Sequence, residues 1–190
     1  MVGNATRRKA RGVRDRPHLP GTGKPRLSPK GARAPSGAGA TAEIRAVRRG
    51  DLAEIIAIDA SVTGVEKRNY WNAVFRRYGI AGDAERQFLV AEEDGHVAGF
   101  VIGEVRDWEF GSPPCGWVFA IDVRPDARQK KVGARLLAAI SAGFRRAGVT
   151  KVRTMLARDN TLILSFFRSQ GMMAGPFIPL EMDLDQDGHR

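Results

Sequence analysis

Residues 123–137 read V-R-P-D-A-R-Q-K-K-V-G-A-R-L-L, an apolar strand end that passes through a polar loop into an amphipathic helix. The strand closes at Val123, Pro125 removes one backbone donor, and the helix opens near Gly133 with Val132, Leu136 and Leu137 turned toward a sheet. The first amides of a helix have no intrahelical acceptor and sit at the positive end of its dipole. A loop running straight into a helix therefore presents N–H groups to an anion. Arg128, Lys130, Lys131 and Arg135 surround those amides with positive charge, and a diphosphate is the guest that suits them. Gly133 has no Cβ, which lets an oxygen or a neighbouring backbone come close. A solvent-exposed basic loop capping an ordinary helix has the same composition, and at this level both readings stand.

Upstream, W-V-F-A-I-D-V over residues 117–123 forms the strand that feeds the loop. Asp94-Gly95 is a hairpin turn between a strand containing Phe88, Leu89, Val90 and Ala91 and a return strand over residues 96–105. A first strand starts at Glu43 with Ile44, Ala46 and Val47. Asp51 stands three residues before Glu54, a capping-box spacing that predicts a helix ending at Asp59. A loop over residues 61–68 leads to a second helical stretch over residues 70–78, with Trp71, Val74 and Phe75 at helical spacing. Downstream come a helix over residues 134–146 ended by Gly148, a strand over 150–156, a helix over 160–169 capped by Gly171, and a last strand over 177–184. A helix between neighbouring strands implies a parallel crossover. The expected fold class is α/β (α+β): a mixed, mostly antiparallel sheet with helices on both faces.

The formal charge of +10 does not belong to this folded part. Ten of the 31 Lys and Arg residues stand in residues 1–42 beside a single acid, Asp15, so the remainder is close to neutral. That first segment, rich in Gly, Ala, Pro and Arg, has too little apolar surface to offset its chain entropy. It reads as a disordered basic tail: a solvated appendage, an over-extended start, a weak nucleic-acid arm, or a targeting segment whose helix Pro17, Pro20, Pro25, Pro29 and Pro35 would break. Residues 43–190 form the single expected domain. Cys115, the one cysteine, excludes an internal disulfide and a cysteine zinc site, no metal is expected, and no apolar run reaches membrane-spanning length. A cytoplasmic location is the expectation.

Two spaced motifs resemble the GNAT superfamily of N-acetyltransferases. That family's signature is Arg or Gln, two residues, Gly, one residue, then Gly or Ala, after a V-x-P strand end. Arg128 and Gly133 match its first and last positions, Val123 and Pro125 match the approach, and Lys131 stands where the family has its first Gly. Downstream, D-N-T-L-I-L-S-F-F-R-S-Q-G-M resembles the family's N-x-x-A-x-x-F-Y-x-x-x-G-F helix through Asn160, Phe166 and Gly171. The resemblance covers roughly residues 43–184 and implies a slot for acetyl-CoA between two splayed parallel strands. In that arrangement the pantetheine arm pairs with the backbone of Ile121 and Val123. The rim Arg128, Gln129, Lys130, Lys131, Val132, Gly133 and Ala134 takes the diphosphate, and Asn160 and Phe167 flank the arm. Asn160 is equally the favoured first residue of a helix.

The resemblance implies transfer of an acetyl group to an amine, which needs a neutral amine, a polarised carbonyl and a protonated leaving thiolate. Polarisation falls to a backbone N–H of the splayed strand, foremost that of Val123. The family often places a Tyr where this chain has Phe167, so water, Ser165 or no acid at all serves the thiolate. Phe167 beside Phe166 also reads as core packing. Glu104 and Asp122, at or near strand ends, are the candidate bases, and desolvation and positioning of the amine is the alternative to either. His96 sits at the hairpin, exposed. The resemblance assigns acceptor recognition to residues 61–71 and 107–117, where Tyr70, Trp71, Trp108, Phe110 and Trp117 accompany Glu66, Asp107 and Glu109, with Trp71 also a helix-core residue. The acceptor amine is unidentified at this level, and a homodimer is compatible. The competing functions are an acyl-CoA-binding regulatory module without turnover and a nucleic-acid-associated protein dominated by its tail.

Overall fold

A computed structural model of the chain describes residues 42–80 and 85–184. The basic tail expected over residues 1–42 lies outside them except for Ala42, which is already a core residue at 5% exposure.

Five strands lie in the order β1-β2-β3-β4-β5. β1 (Glu43–Ala46), β2 (Arg86–Glu93), β3 (His96–Arg106) and β4 (Cys115–Val123) are antiparallel neighbours, and β5 (Val152–Arg153) runs parallel to β4. Helices α1 (Leu52–Thr63) and α2 (Arg68–Val74), the latter continued by a π turn over Phe75–Gly79, stand between β1 and β2 in sequence. Helices α3 (Val132–Arg146) and α4 (Thr161–Ser169) stand on either side of β5. Gly148 and Gly171 follow them with φ of 81° and 84°, the left-handed conformation that ends a helix without a Cβ penalty.

Because alternate residues of a strand face opposite sides, β3 feeds two cores. Phe100 and Ile102 pack with Ile55, Trp71, Val74 and Phe88 on the α1–α2 face. Val101 packs with Val132, Leu136, Ile140 and Phe144 on the α3 face. Burial of each such side chain stabilises the fold by about 1.5–3 kcal/mol, so the apolar stripe of α3 alone fixes that helix to the sheet. The mixed sheet with helices on both faces is the expected class.

Four local expectations differ from the structure. Asp51 does not cap α1. Its own backbone is helical, and its carboxylate accepts from the Arg48 amide at 2.6 Å and from Arg45 at 2.7 and 2.9 Å. Burial raises the Asp51 carboxyl, but Arg45 and the amide outweigh it and leave the group below its ordinary range. Glu54, freed from a capping box, accepts the Val97 amide at 2.6 Å and ties α1 to the start of β3. Second, α1 runs past Asp59 to Thr63, with the Ser61 and Thr63 hydroxyls donating to the carbonyls of Ile58 and Asp59 at 2.7 and 3.0 Å. Third, β5 pairs over Val152 and Arg153 alone, not over residues 150–156, because β4 turns away from it. Fourth, residues 177–184 form no strand. Pro179 has no amide to give a ladder, and Ile178, Leu180 and Met182 stay exposed, although Phe177 lies under the Arg153 guanidinium at 4.4 Å.

Candidate active site

The ladder between β4 and β5 has two rungs, Gly116–Val152 and Trp117–Arg153. Immediately beyond them the β3–β4 register slips: Gly103 faces Val118 and Ile102 faces Ala120, so Phe119 is an extra residue in β4. Such a bulge bends its strand, and here it carries the end of β4 away from β5 and opens a wedge. The Arg124 amide donates to the Ala98 carbonyl at 2.9 Å, which makes Gly99–Val123 a pair without mutual hydrogen bonds. The N–H and C=O groups of Val123 and, two residues back, Ile121 therefore point away from β3 and into the wedge.

The wedge is a cleft of about 710 Å³. One wall is β4 from Val118 to Val123, the facing wall is the chain from Thr154 to Ala157 with α4, and the mouth is closed by the loop into α3. That loop is a 3-10 turn over Pro125–Lys130 followed by Lys131, whose φ of 60° and ψ of 20° are left-handed. No side chain caps the helix that follows, so its first amides keep their donors. The Arg128 Nε donates to the Val123 carbonyl at 3.3 Å and holds the guanidinium over the strand end.

Of the residues expected to hold a diphosphate carrier, Ile121, Val123, Arg128, Gln129, Lys131, Gly133, Ala134, Asn160 and Phe167 line this cleft. Two do not. Lys130 turns outward to Glu93 at 2.7 Å, and Val132 is a core residue at 1% exposure. A Cβ on Gly133 would stand 3.2 Å from the Phe166 ring, so the start of α3 packs closely on α4 at this glycine. Asn160 caps α4, its Oδ1 accepting the Ile163 amide at 3.1 Å, which leaves its NH₂ to donate elsewhere. Phe167 is 4% exposed, packs edge-on against Phe166 at 5.1 Å, and brings no hydroxyl.

Of the two candidate bases, only Asp122 lines the cleft. It stands opposite Phe100 in the ladder and so faces α1 and α2. Burial, and next the carboxylate of Asp59, push its carboxyl up to about 6, against the opposing pull of Arg128 and Lys67. Glu104 instead accepts from Tyr78 at 2.9 Å and Arg106 at 3.2 Å, with Arg77 at 3.7 Å, and lies outside the cleft lining. Its three partners hold it in a structural cluster.

Asp59 is the group the sequence did not disclose. It is 5% exposed, and both carboxylate oxygens are engaged: Oδ1 by Lys67 at 3.0 Å and Oδ2 by the Trp71 indole at 2.8 Å. Its one signal was an acid on the same stripe as Ile55 and Ile56. Of the two expected acceptor segments, the first contributes Val62, Lys67, Tyr70 and Trp71 to the lining, whereas none of residues 107–117 reaches it. Trp108 and Phe110 are exposed, and Glu109 pairs with Arg106 at 3.8 Å.

A sequence model of the acetyltransferase (GNAT) family matches residues 52–172. The chain belongs to that family. An L-2,4-diaminobutyric acid acetyltransferase from Nocardia farcinica is 31% identical over 137 residues, 71% of this chain and 66% of that protein. A mycothiol acetyltransferase from Sanguibacter keddieii is 33% identical over 85 residues, 44% of this chain and 27% of that protein. The chain thus matches less than two thirds of the length of these relatives. Among solved structures, an aminoglycoside N-acetyltransferase, AAC(6')-Iy in complex with CoA, superposes with a TM-score of 0.66 at 19% identity, covering 83% of this chain and 99% of that one, a likeness of fold. In the family's loop, Lys131 occupies by strain the position where glycine is usual. No helix among the described residues is long and apolar enough to cross a membrane.

Proposed function

We propose that this protein transfers the acetyl group of acetyl-CoA to a primary amine of a small molecule, with Asp122 as the group that takes the amine's proton. The observation that carries the reading is the wedge itself, with backbone amides on one strand, an uncapped helix start at its mouth, and a carboxyl held at about 6 on its floor. Acetyl-CoA supplies the acetyl group as a thioester. The amides of Lys131 to Ala134 and the Arg128 guanidinium suit its diphosphate, the inward-facing backbone of Ile121 and Val123 suits its amide-bearing arm, and Asn160 offers one more donor.

With a carboxyl near 6, Asp122 is ionised at neutral pH yet basic enough to accept a proton from an ammonium in a dry site. An ammonium acceptor sheds two protons in forming the amide. As the C–N bond forms and the C–S bond breaks, one ends on the thiolate and one in solvent, so no dedicated acid is needed where Phe167 stands. The relatives are named for diaminobutyric acid and for mycothiol, both small molecules, and a small acceptor is consistent with those names.

A panel of primary amines assayed for thiol release, with wild type beside Asp122→Asn, tests the proposal. Turnover that survives the substitution undiminished would refute the assigned role. Phe167 favours a second reading, an acyl-CoA-binding module without turnover, which predicts calorimetric acetyl-CoA binding and no thiol release with any amine.

A further inference from the structure

The acids lining the cleft are Asp59 and Asp122, and they are not equivalent. Asp59 is spent on Lys67 and Trp71, whereas among the described residues no side chain hydrogen-bonds to Asp122. Lys67 uses one of its three donors on Asp59, its side chain is 37% exposed, and its ammonium lies 5.7 Å from the centre of the Tyr70 ring on the cleft lining. A buried carboxylate below and an aromatic face beside it fix this ammonium with donors left for an anion. Asp59 is spent inside this pair and only 7% of its side chain is exposed, so the half that reaches solvent is the ammonium of Lys67, and of the two cleft carboxylates Asp122 is the one that remains for a cation.

Resting on the acetyl-transfer reading above, we propose that the acceptor carries a carboxylate held by Lys67 beside the amine it presents to Asp122: an amino-acid-like zwitterion, not a polyamine or polycationic aminosugar. A second ammonium on the substrate would meet Lys67, and a carboxylate there would find the one cleft cation, among the described residues, outside the loop that faces the CoA diphosphate. Like charges set against the wrong partner are as effective a selector as contacts made with the right one.

The test uses matched amines that differ by the carboxylate alone: ornithine against putrescine, lysine against cadaverine, β-alanine against ethylamine. In the wild type, kcat/KM should favour the carboxylate-bearing member by about tenfold or more. Lys67→Met, which also leaves Asp59 without its cation, should erase or invert that preference through KM, and Lys67→Glu should invert it, while acetyl-CoA affinity by calorimetry stays at the wild-type value and reports an intact fold. Turnover with equal rates across the pairs, or a ratio indifferent to Lys67→Met, would overturn the inference and leave acetyl transfer standing. Absence of thiol release from every amine would remove the acetyl-transfer reading, and this one with it.

Discussion

The two faces of the sheet contribute to one cleft by different means. On the α3 face the components are consecutive: Val123, Arg128, Lys131, Gly133 and Ala134 follow one another along a strand end, a turn and a helix start, and most of what they offer is backbone. On the α1–α2 face the components are side chains brought from separate elements: Asp59 from α1, Lys67 from the loop after it, Trp71 from α2, Asp122 from β4. A site made of backbone is written locally, because helix starts and glycine-bearing turns are local properties. A site made of side chains exists only once tertiary packing has closed. The first face should therefore govern CoA affinity, and the second acid–base chemistry and choice of acceptor.

The largest effect expected from breaking that division is on the second face. Asp122→Asn should lower kcat by roughly 100- to 1000-fold at pH 8, the range typical of losing a positioned base, with acetyl-CoA affinity retained. In the wild type kcat/KM should fall as pH drops through about 6, where Asp122 becomes protonated, and this limb should vanish in the variant. The same carboxyl has a stability consequence of unusual sign. Its folded value lies above the unfolded one, so the folded state binds the extra proton, and stability present at low pH is lost as pH rises through about 6. Asp122→Asn should accordingly be more stable than wild type at pH 8, by about 1 kcal/mol once partial solvent exposure is allowed for, as read by urea unfolding at the two pH extremes.

On the first face, Gly133→Glu should weaken acetyl-CoA binding by about 100-fold or more in calorimetry, since it drives a side chain toward Phe166 and sets a negative charge where a diphosphate belongs. Thiol release at saturating acetyl-CoA should suffer less than affinity. Equal losses in both would show that the two faces are not separable.

A smaller change stays within the second face. Asp59 helps raise the Asp122 carboxyl, so Asp59→Asn should move the acid limb of kcat/KM to lower pH. An unmoved limb would mean that burial alone sets it.

The same contrast explains what was legible in the sequence. Period-2 runs around Asp94-Gly95 and the 3.6-residue stripe of Leu136, Ile140 and Phe144 report their own partners, because each half of a hairpin or helix face is encoded nearby. The alternation over residues 177–184 was as clean, yet a strand needs an edge, and β5 offers two residues while Pro179 withholds an amide. The overlong β5 failed for a related reason: the bulge at Phe119 that bends β4 away is a property of the pair, not of either segment. Asp59 looked like the polar end of a short helix, because its burial depends on Trp71, whose indole meets its carboxylate only after α2 has folded back. Glu104 and Asp122 looked alike as strand carboxylates, and only the neighbours Arg77, Tyr78 and Arg106 separate a carboxylate held in a cluster from one that lines the cleft.

The smallest expected effect sharpens the comparison from the backbone side. Lys131 holds a φ of 60° at the turn into α3, and a residue with a Cβ costs about 1–2 kcal/mol in that conformation. Glycine adopts it freely but brings more entropy to the unfolded chain, which returns part of the gain. Lys131→Gly should therefore stabilise the protein by about 0.5–1 kcal/mol, seen as a rise of a few degrees in Tm. Its effect on acetyl-CoA affinity divides two roles for the residue. If the turn works through its amides, affinity is unchanged at high salt and falls only slightly at low salt, where the lost ammonium is least screened. If instead the ammonium is the grip, affinity drops several-fold under both conditions, and the side chain has taken over work that the family's glycine leaves to the backbone.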